Sequence, residues 1–295
     1  MNAPSSPLQT LAMLLSLAAL WGGSYLFIRV AAPELGVVAT TQLRLGLAAL
    51  ALLTFALAVG RLPDFRRHWP KFLILGLLNN VIPQFLIVSS VIHLNASLGS
   101  ILNATTPLFT ALAAAVWLKE SFGWPKALGV VLGIAGVGVL VGFSPIPVDD
   151  RTFLAVLEAL LAALAYGLAA VYARVAFKGI QPLHTAVGQL CGSSLLVLPA
   201  AVAWPPITWT PALLGAVLGL ALLSTAVAYL LYFRLIATAG ATAAASVTFL
   251  IPFFSVLWGV VFLGEPLNLG MFAGLGVILL SVALVLGFVP MRSKG

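Results

Sequence analysis

The sequence predicts an all-α integral membrane protein of ten transmembrane helices, arranged as two inverted five-helix repeats. Three observations predict it. The first is composition: of 295 residues, 62% are hydrophobic and only 7% charged, and mean hydropathy is +1.17. A soluble domain carries roughly 25% charged residues, so this chain cannot cover a water-facing globule. The second is a series of ten hydrophobic runs, each near the ~20 residues that cross a hydrocarbon core as a helix. The third is an internal repeat. A shift of 145 positions places Pro107 on Pro252, Phe109 on Phe254, Leu112 on Leu257, Glu120 on Glu265 and Gly129 on Gly274.

In chain order, the runs place helices at about 8–30, 37–59, 72–93, 96–118, 125–143, 153–174, 183–203, 212–235, 242–263 and 268–288. Gly, Pro and charged residues mark the connections: Ala32-Pro33-Glu34, Gly60 to Lys71, Lys119 to Pro125, Ser144 to Arg151, Trp204 to Pro211 and Gly264-Glu265-Pro266. The stretch before the first run, Met1 to Pro7, has no Lys or Arg, and no cleavage pattern stands out. The first run therefore reads as a retained helix.

Ten spans put both termini on one side. Eleven Lys and Arg residues fall on that side, and only Arg29 and Arg151 on the other, with Arg44 inside a span. Basic residues collect on the cytoplasmic side, so both termini are expected there. The same bias explains the +7 net charge without any nucleic-acid partner. The single cysteine, Cys191, excludes an intrachain disulfide and reads as a small packing residue.

The repeat holds across most of the chain. Trp21 meets Tyr166, Gly22 meets Gly167, Phe27 meets Tyr172, Arg29 meets Arg174, Thr40 meets Thr185, and Arg44 meets Gln189. The units are residues 1–144 and 145–295. Five spans is an odd number, so the second copy crosses in the opposite sense. Inverted repeats characterise secondary transporters, whose site lies near the midplane between the halves. Such halves can exchange shapes and present one site to each side in turn.

Particular strings carry a family resemblance: PLFTALAAAVWLKE and PFFSVLWGVVFLGE, ALWGGSYLFIR in the first helix, and ALLSTAVAYLLYFRLI at the end of the eighth. With these the chain resembles the EamA-type branch of the drug/metabolite transporter superfamily, and within it the amino-acid exporters. The resemblance implies ten helices, cytoplasmic termini in a bacterial inner (plasma) membrane, and export of amino acids or related metabolites. Pro125 departs from the repeat, with Gly270 opposite it.

Prolines near the middle of helices 4 and 9, Pro107 and Pro252, remove a helix hydrogen bond and free a carbonyl. They read as hinges lining a central cavity, with a packing kink as the plainer alternative. Polar side chains at membrane depth face the bundle interior. Asn79, Gln84, Asn103, Tyr229 and Thr248 are the expected hydrogen-bonding groups of a substrate pocket, since they suit a zwitterion or neutral solute without adding fixed charge. Trp21 and Tyr166, matched by the repeat, are the expected aromatic lining. Arg44 reads as snorkelling outward or pairing with Glu158, with a substrate carboxylate as the alternative. His93 reads as interfacial, and Glu120 and Glu265 as turn caps. Gly129, Gly133, Gly270 and Gly274 allow close helix packing within one chain, consistent with a monomer.

There is no Gly-x-Ser-x-Gly, His-Glu-x-x-His or phosphate-binding loop, so neither an enzyme nor an ATP-driven pump is expected, and no cofactor. No Asp or Glu lies near a midplane, which disfavours cationic substrates and leaves coupling unassigned. The expected partners are the lipid bilayer and a small-molecule substrate. Carriers of nucleotide-sugars, purines or drugs, and a lipid flippase, are the rival readings.

Overall fold

The computed structural model describes residues 7–143, 149–204, 207–239 and 247–286. The helix start expected at 242 and the helix end expected at 288 lie outside them. Every element among the described residues is helical. Among the described residues, seven helices are long and apolar enough to cross a membrane: α1 (Pro7–Ala58), α2 (Phe65–His93), α3 (Ala96–Trp117), α4 (Trp124–Gly142), α5 (Asp150–Ala176), α6 (Pro182–Ala200) and α7 (Pro211–Ile236). Two shorter apolar helices follow, α8 (Val247–Leu263) and α9 (Leu269–Val285). Large apolar side chains such as Leu50, Val116, Ile134 and Leu269 stand exposed on the outside, where a bilayer would cover them.

α1 runs for 52 residues. At 1.5 Å per residue that is ~78 Å, well over twice a ~30 Å hydrocarbon core. It is two helices that meet at Gly36, where φ is 71° and ψ 176°. That left-handed φ suits a residue without Cβ. The expected connection at Ala32-Pro33-Glu34 is corrected: Pro33 stays inside helix, and the chain turns at the glycine. α2 begins seven residues before its apolar run, because Asp64 accepts the Arg67 N–H at 3.0 Å and caps a polar first turn. At the start of α5, exposed Asp149 accepts the Thr152 N–H at 2.8 Å, and this bond holds its carboxyl below the usual carboxylate range.

Two helices change pitch midway. α2 widens to a π-helix over Leu77–Val81, and α7 over Gly219–Val227. Shifted by 145 positions, the first falls inside the second. Pro83 follows the first and Ala228 the second, so proline alone does not cause the widening. The two candidate hinge prolines differ. α3 breaks after Asn103 and resumes at Thr106, with Pro107 in its new first turn. Pro252 is buried inside the unbroken α8.

Glycines set the closest approaches. A Cβ on Gly22 of α1 would lie 2.8 Å from Phe254 Cβ and Ser255 N of α8. A Cβ on Gly167 of α5 would lie 2.8 Å from the Phe109 carbonyl carbon and Thr110 N of α3. The 145-residue shift relates both the glycines and their contacts, so the two crossings are equivalent. α4 and α9 also meet through glycine. Ser281 donates to the Gly129 carbonyl at 2.6 Å, and a Cβ on Gly274 would strike Leu140.

Substituting Gly22→Ala or Gly167→Ala is expected to cost about 1–3 kcal/mol each through overpacking, read as a lower Tm of the purified protein in detergent. Gly138→Ala, with no atom near its added Cβ, should leave Tm unchanged or raise it. Wild-type Tm in both of the first two variants would contradict the reciprocal crossing.

Candidate functional site

One group of buried polar side chains gathers where the two π segments meet the second arm of α1, α5 and α6. Arg44, on that arm, donates from Nη1 to Gln84 Oε1 at 2.6 Å and from Nε to Thr225 Oγ1 at 3.0 Å. Gln84 Nε2 donates to the Tyr166 hydroxyl at 2.8 Å. Asn79 Nδ2 donates to Gln189 Oε1 at 3.0 Å and reaches the Tyr229 hydroxyl at 3.4 Å. Asn80 Nδ2 donates to Ser193 Oγ at 2.9 Å. Arg44, Asn80, Gln84, Gln189, Ser193 and Thr225 are all buried.

The π segments supply two features of this cluster. A π turn leaves carbonyls out of α register, and the Thr225 hydroxyl takes one of them, donating to Leu220 O at 2.8 Å. The other feature is reciprocity. Arg44, from the first half, bonds the π segment of α7; Gln189, its 145-shift counterpart, bonds the π segment of α2. Glycines bring the helices close enough for this. A Cβ on Gly76 would meet Ser193 Oγ at 2.8 Å, and one on Gly188 would strike the Phe72 ring.

The structure brings four of the expected pocket residues together: Asn79, Gln84, Tyr166 and Tyr229. Asn103 is half-buried at the end of the first segment of α3, where its Oδ1 accepts from the Thr106 hydroxyl at 3.4 Å. Trp21 lies apart, its ring 5.4 Å from that of Tyr232 in an apolar cluster. Thr248 occupies the first turn of α8, half-buried.

Arg44 corrects its expected role. It neither snorkels nor pairs with Glu158, which instead accepts from Ser89 Oγ at 2.8 Å. A buried guanidinium needs acceptors, and the π segment of α7 and Gln84 supply them at close range. Gln189, Thr225 and Ser193 were not expected in the cluster. The alignment of Arg44 with Gln189 was the signal that pointed to the first of them. One turn before Arg44, the Thr40 and Thr41 hydroxyls and Gln42 Oε1 are buried without a partner among the described residues.

At one end of the bundle, buried Glu265 accepts the Ala96 N–H at 2.6 Å and the Ser97 N–H at 3.1 Å. It thus caps α3 rather than its own turn. Beside it, Arg29 donates to the carbonyls of Val91 and Ile92 at 2.9 and 2.8 Å. Both residues line a cavity of about 430 Å³ with His93 and Asn95. The repeat-related pair, Arg174 and Glu120, forms an exposed ion pair at 2.6 Å. Framework positions match, then, while their bonding differs between halves.

An all-helical fold with seven long apolar helices and a buried polar cluster defines a multi-pass membrane protein. The EamA-like transporter family matches residues 8–142 and again 153–287, and the chain belongs to that family. It is 30% identical over 241 residues to the uncharacterised transporter YvbV of Bacillus subtilis, covering 79% of this chain and 78% of that one. The uncharacterised inner membrane transporter YedA of Escherichia coli K12 is 26% identical over 277 residues, 92% of this chain and 89% of its own. A protein described as a probable terminal-alkyne amino-acid exporter, from Streptantibioticus cattleyicolor, is 30% identical over 120 residues, 41% of this chain and 40% of its own. One crystal structure shares the fold, with a TM-score of 0.66 at 18% identity over 95% of this chain and 96% of the other. The chain is a transporter of small solutes, and its relatives are transporters rather than enzymes.

Replacing Gln84 with Leu removes one of the two acceptors of a buried charge. It should cost about 1–3 kcal/mol, seen as a lower Tm in detergent. An unchanged Tm would mean that the guanidinium does not depend on Gln84.

Proposed function

We propose that the chain is a secondary transporter that exports amino acids or related small metabolites across the plasma membrane by alternating access. It has ten spans, with the two arms of α1 counted separately. Residues 1–144 and 145–295 form inverted five-helix repeats, both termini are cytoplasmic, and the monomer is the working unit. The solute binds among Asn79, Gln84, Asn103, Tyr166 and Tyr229, with Thr248 and Trp21 flanking, and Pro107 and Pro252 act as hinges.

The observation that carries this reading is the reciprocal cluster, in which each half lends a side chain to the π segment of the other. A group bound there touches both halves and is released when they separate. The double family match at a 145-residue interval supports the repeat. The exporter relative supports amino acids as the solute class. Hydrogen-bonding groups without a deep carboxylate argue against cationic drugs. π-helical turns inside α-helices are frequent at functional sites, and irregular backbone at membrane depth is tolerated where protein or a cavity satisfies it.

Counterflow of a radiolabelled amino-acid panel in proteoliposomes, at matched internal and external pH, tests this. Saturable exchange is expected, with the half-saturation concentration raised about 3- to 10-fold in Asn103→Ala by loss of one neutral hydrogen bond. Folded protein that exchanges no amino acid would contradict the solute class. Unsaturable leak through both proteins would contradict alternating access.

A further inference from the structure

The cluster holds one full positive charge and no negative one. Arg44 is only 7% exposed, and its two hydrogen-bond partners, Gln84 Oε1 and Thr225 Oγ1, are neutral. All seven acidic residues of the chain are among the described residues, and none meets it. Glu265 caps α3, Glu120 pairs with Arg174, Glu158 accepts from Ser89, and Asp64 and Asp149 cap their helices. Glu34 and Asp150 are exposed. Charges at membrane depth are paired or face a pathway, and a buried cation without a counter-ion is costly.

The geometry also leaves the guanidinium unsaturated. It has five N–H donors in a planar fork, and Nη2 has no acceptor among the described residues. Gln84 and Thr225 therefore aim the fork without neutralising it. The Tyr166 hydroxyl, which accepts from Gln84 Nε2 at 2.8 Å, can give its own proton to an anion. The planar fork matches a carboxylate bidentately. Nothing in the cluster offers a matching anion to an ammonium group, whose only available acceptors are neutral oxygens.

We propose that Arg44 is the counter-ion for a carboxylate on the transported solute, so that the site takes carboxylate-bearing monoanions and does not require an amino group. This deepens the proposed function and rests on the cluster being the solute site. A zwitterion satisfies the fork and leaves the site with its net positive charge; a simple carboxylate closes the charge balance. An amine without a carboxylate meets like charge and is excluded.

Thermal shift of the full-length protein in detergent, separate from any transport assay, tests the assignment. The probes are sets built on three skeletons (propyl, isobutyl and benzyl), each as the amino acid, the deaminated acid and the decarboxylated amine, with chloride and inorganic phosphate as controls. On at least one skeleton the acid should raise Tm at least as far as the amino acid does, while no amine raises it. Arg44→Gln should lose that response, with at least ~10-fold weaker apparent affinity from loss of a charge-assisted pair. Arg44→Lys, which keeps charge but not the fork, should fall between. Without ligand, Arg44→Gln should unfold at or above the wild-type Tm, since an uncompensated charge is removed. A purely structural arginine predicts the reverse.

Stabilisation by an amine, an undiminished response in Arg44→Gln, or chloride or phosphate acting as strongly as the acids would overturn the assignment. So would the absence of any shift by every carboxylate. If carboxylates bind through Arg44 but no solute exchanges in proteoliposomes, the transport reading fails and the anion site stands.

Discussion

A charge placed inside an apolar bundle dictates much of the arrangement around it. Arg44 sits on a chain in which charged residues are 7% of the total, and at membrane depth such a residue costs several kcal/mol unless it finds partners. Its partners come from two helices that sequence keeps far apart, α2 through Gln84 and α7 through Thr225. Bringing them to one guanidinium needs close helix contact, which the small residues provide. Gly46 lies beside Ser194, Gly76 beside Ser193, and Gly192 against the Phe72 backbone. Gln84 lies just past the π segment of α2, and Thr225 lies within that of α7.

The halves are alike in framework and unlike in chemistry. Gly22 on Phe254 and Gly167 on Phe109 are the same crossing made twice. At the centre, however, the pair of equivalent positions holds Arg44 and Gln189, one charged and one neutral. At the ends, Arg174 and Glu120 form an ion pair, while Arg29 and Glu265 bond to backbone groups instead. The crossings are symmetric in geometry, and the centre is not: only one of its two equivalent positions carries charge.

Much of the fold was legible in the sequence because hydrophobic runs and a fixed 145-residue interval are local, countable signals. Asn79, Gln84, Tyr166 and Tyr229 were legible for a related reason: polar groups in apolar runs must point inward and find each other. Trp21 was harder to place, since its ring packs on Tyr232 and a sequence position does not tell whether an aromatic ring meets a neighbour or a solute. Arg44 was legible as a residue and not as a role, because its distance from the helix start allowed snorkelling. Its burial depends on Gln84 and Thr225, forty and 181 positions away. The π segments left no sequence mark of their own, since one precedes a proline and the other an alanine. Proline was likewise an uncertain guide. It put Pro107 after a break and left Pro252 inside a continuous helix, because a helix tolerates the loss of one hydrogen bond when neighbours pack against it.

The most direct measurement is an experimental structure of the full chain with a transported solute bound, determined by electron cryomicroscopy. The solute is expected between α1, α2, α5 and α7, with a carboxylate within hydrogen-bonding distance of the Arg44 guanidinium and the phenol of Tyr166 or Tyr229 nearby. A solute seated instead in the cavity beside Arg29, His93 and Glu265, with Arg44 still bound only to Gln84 and Thr225, would contradict it.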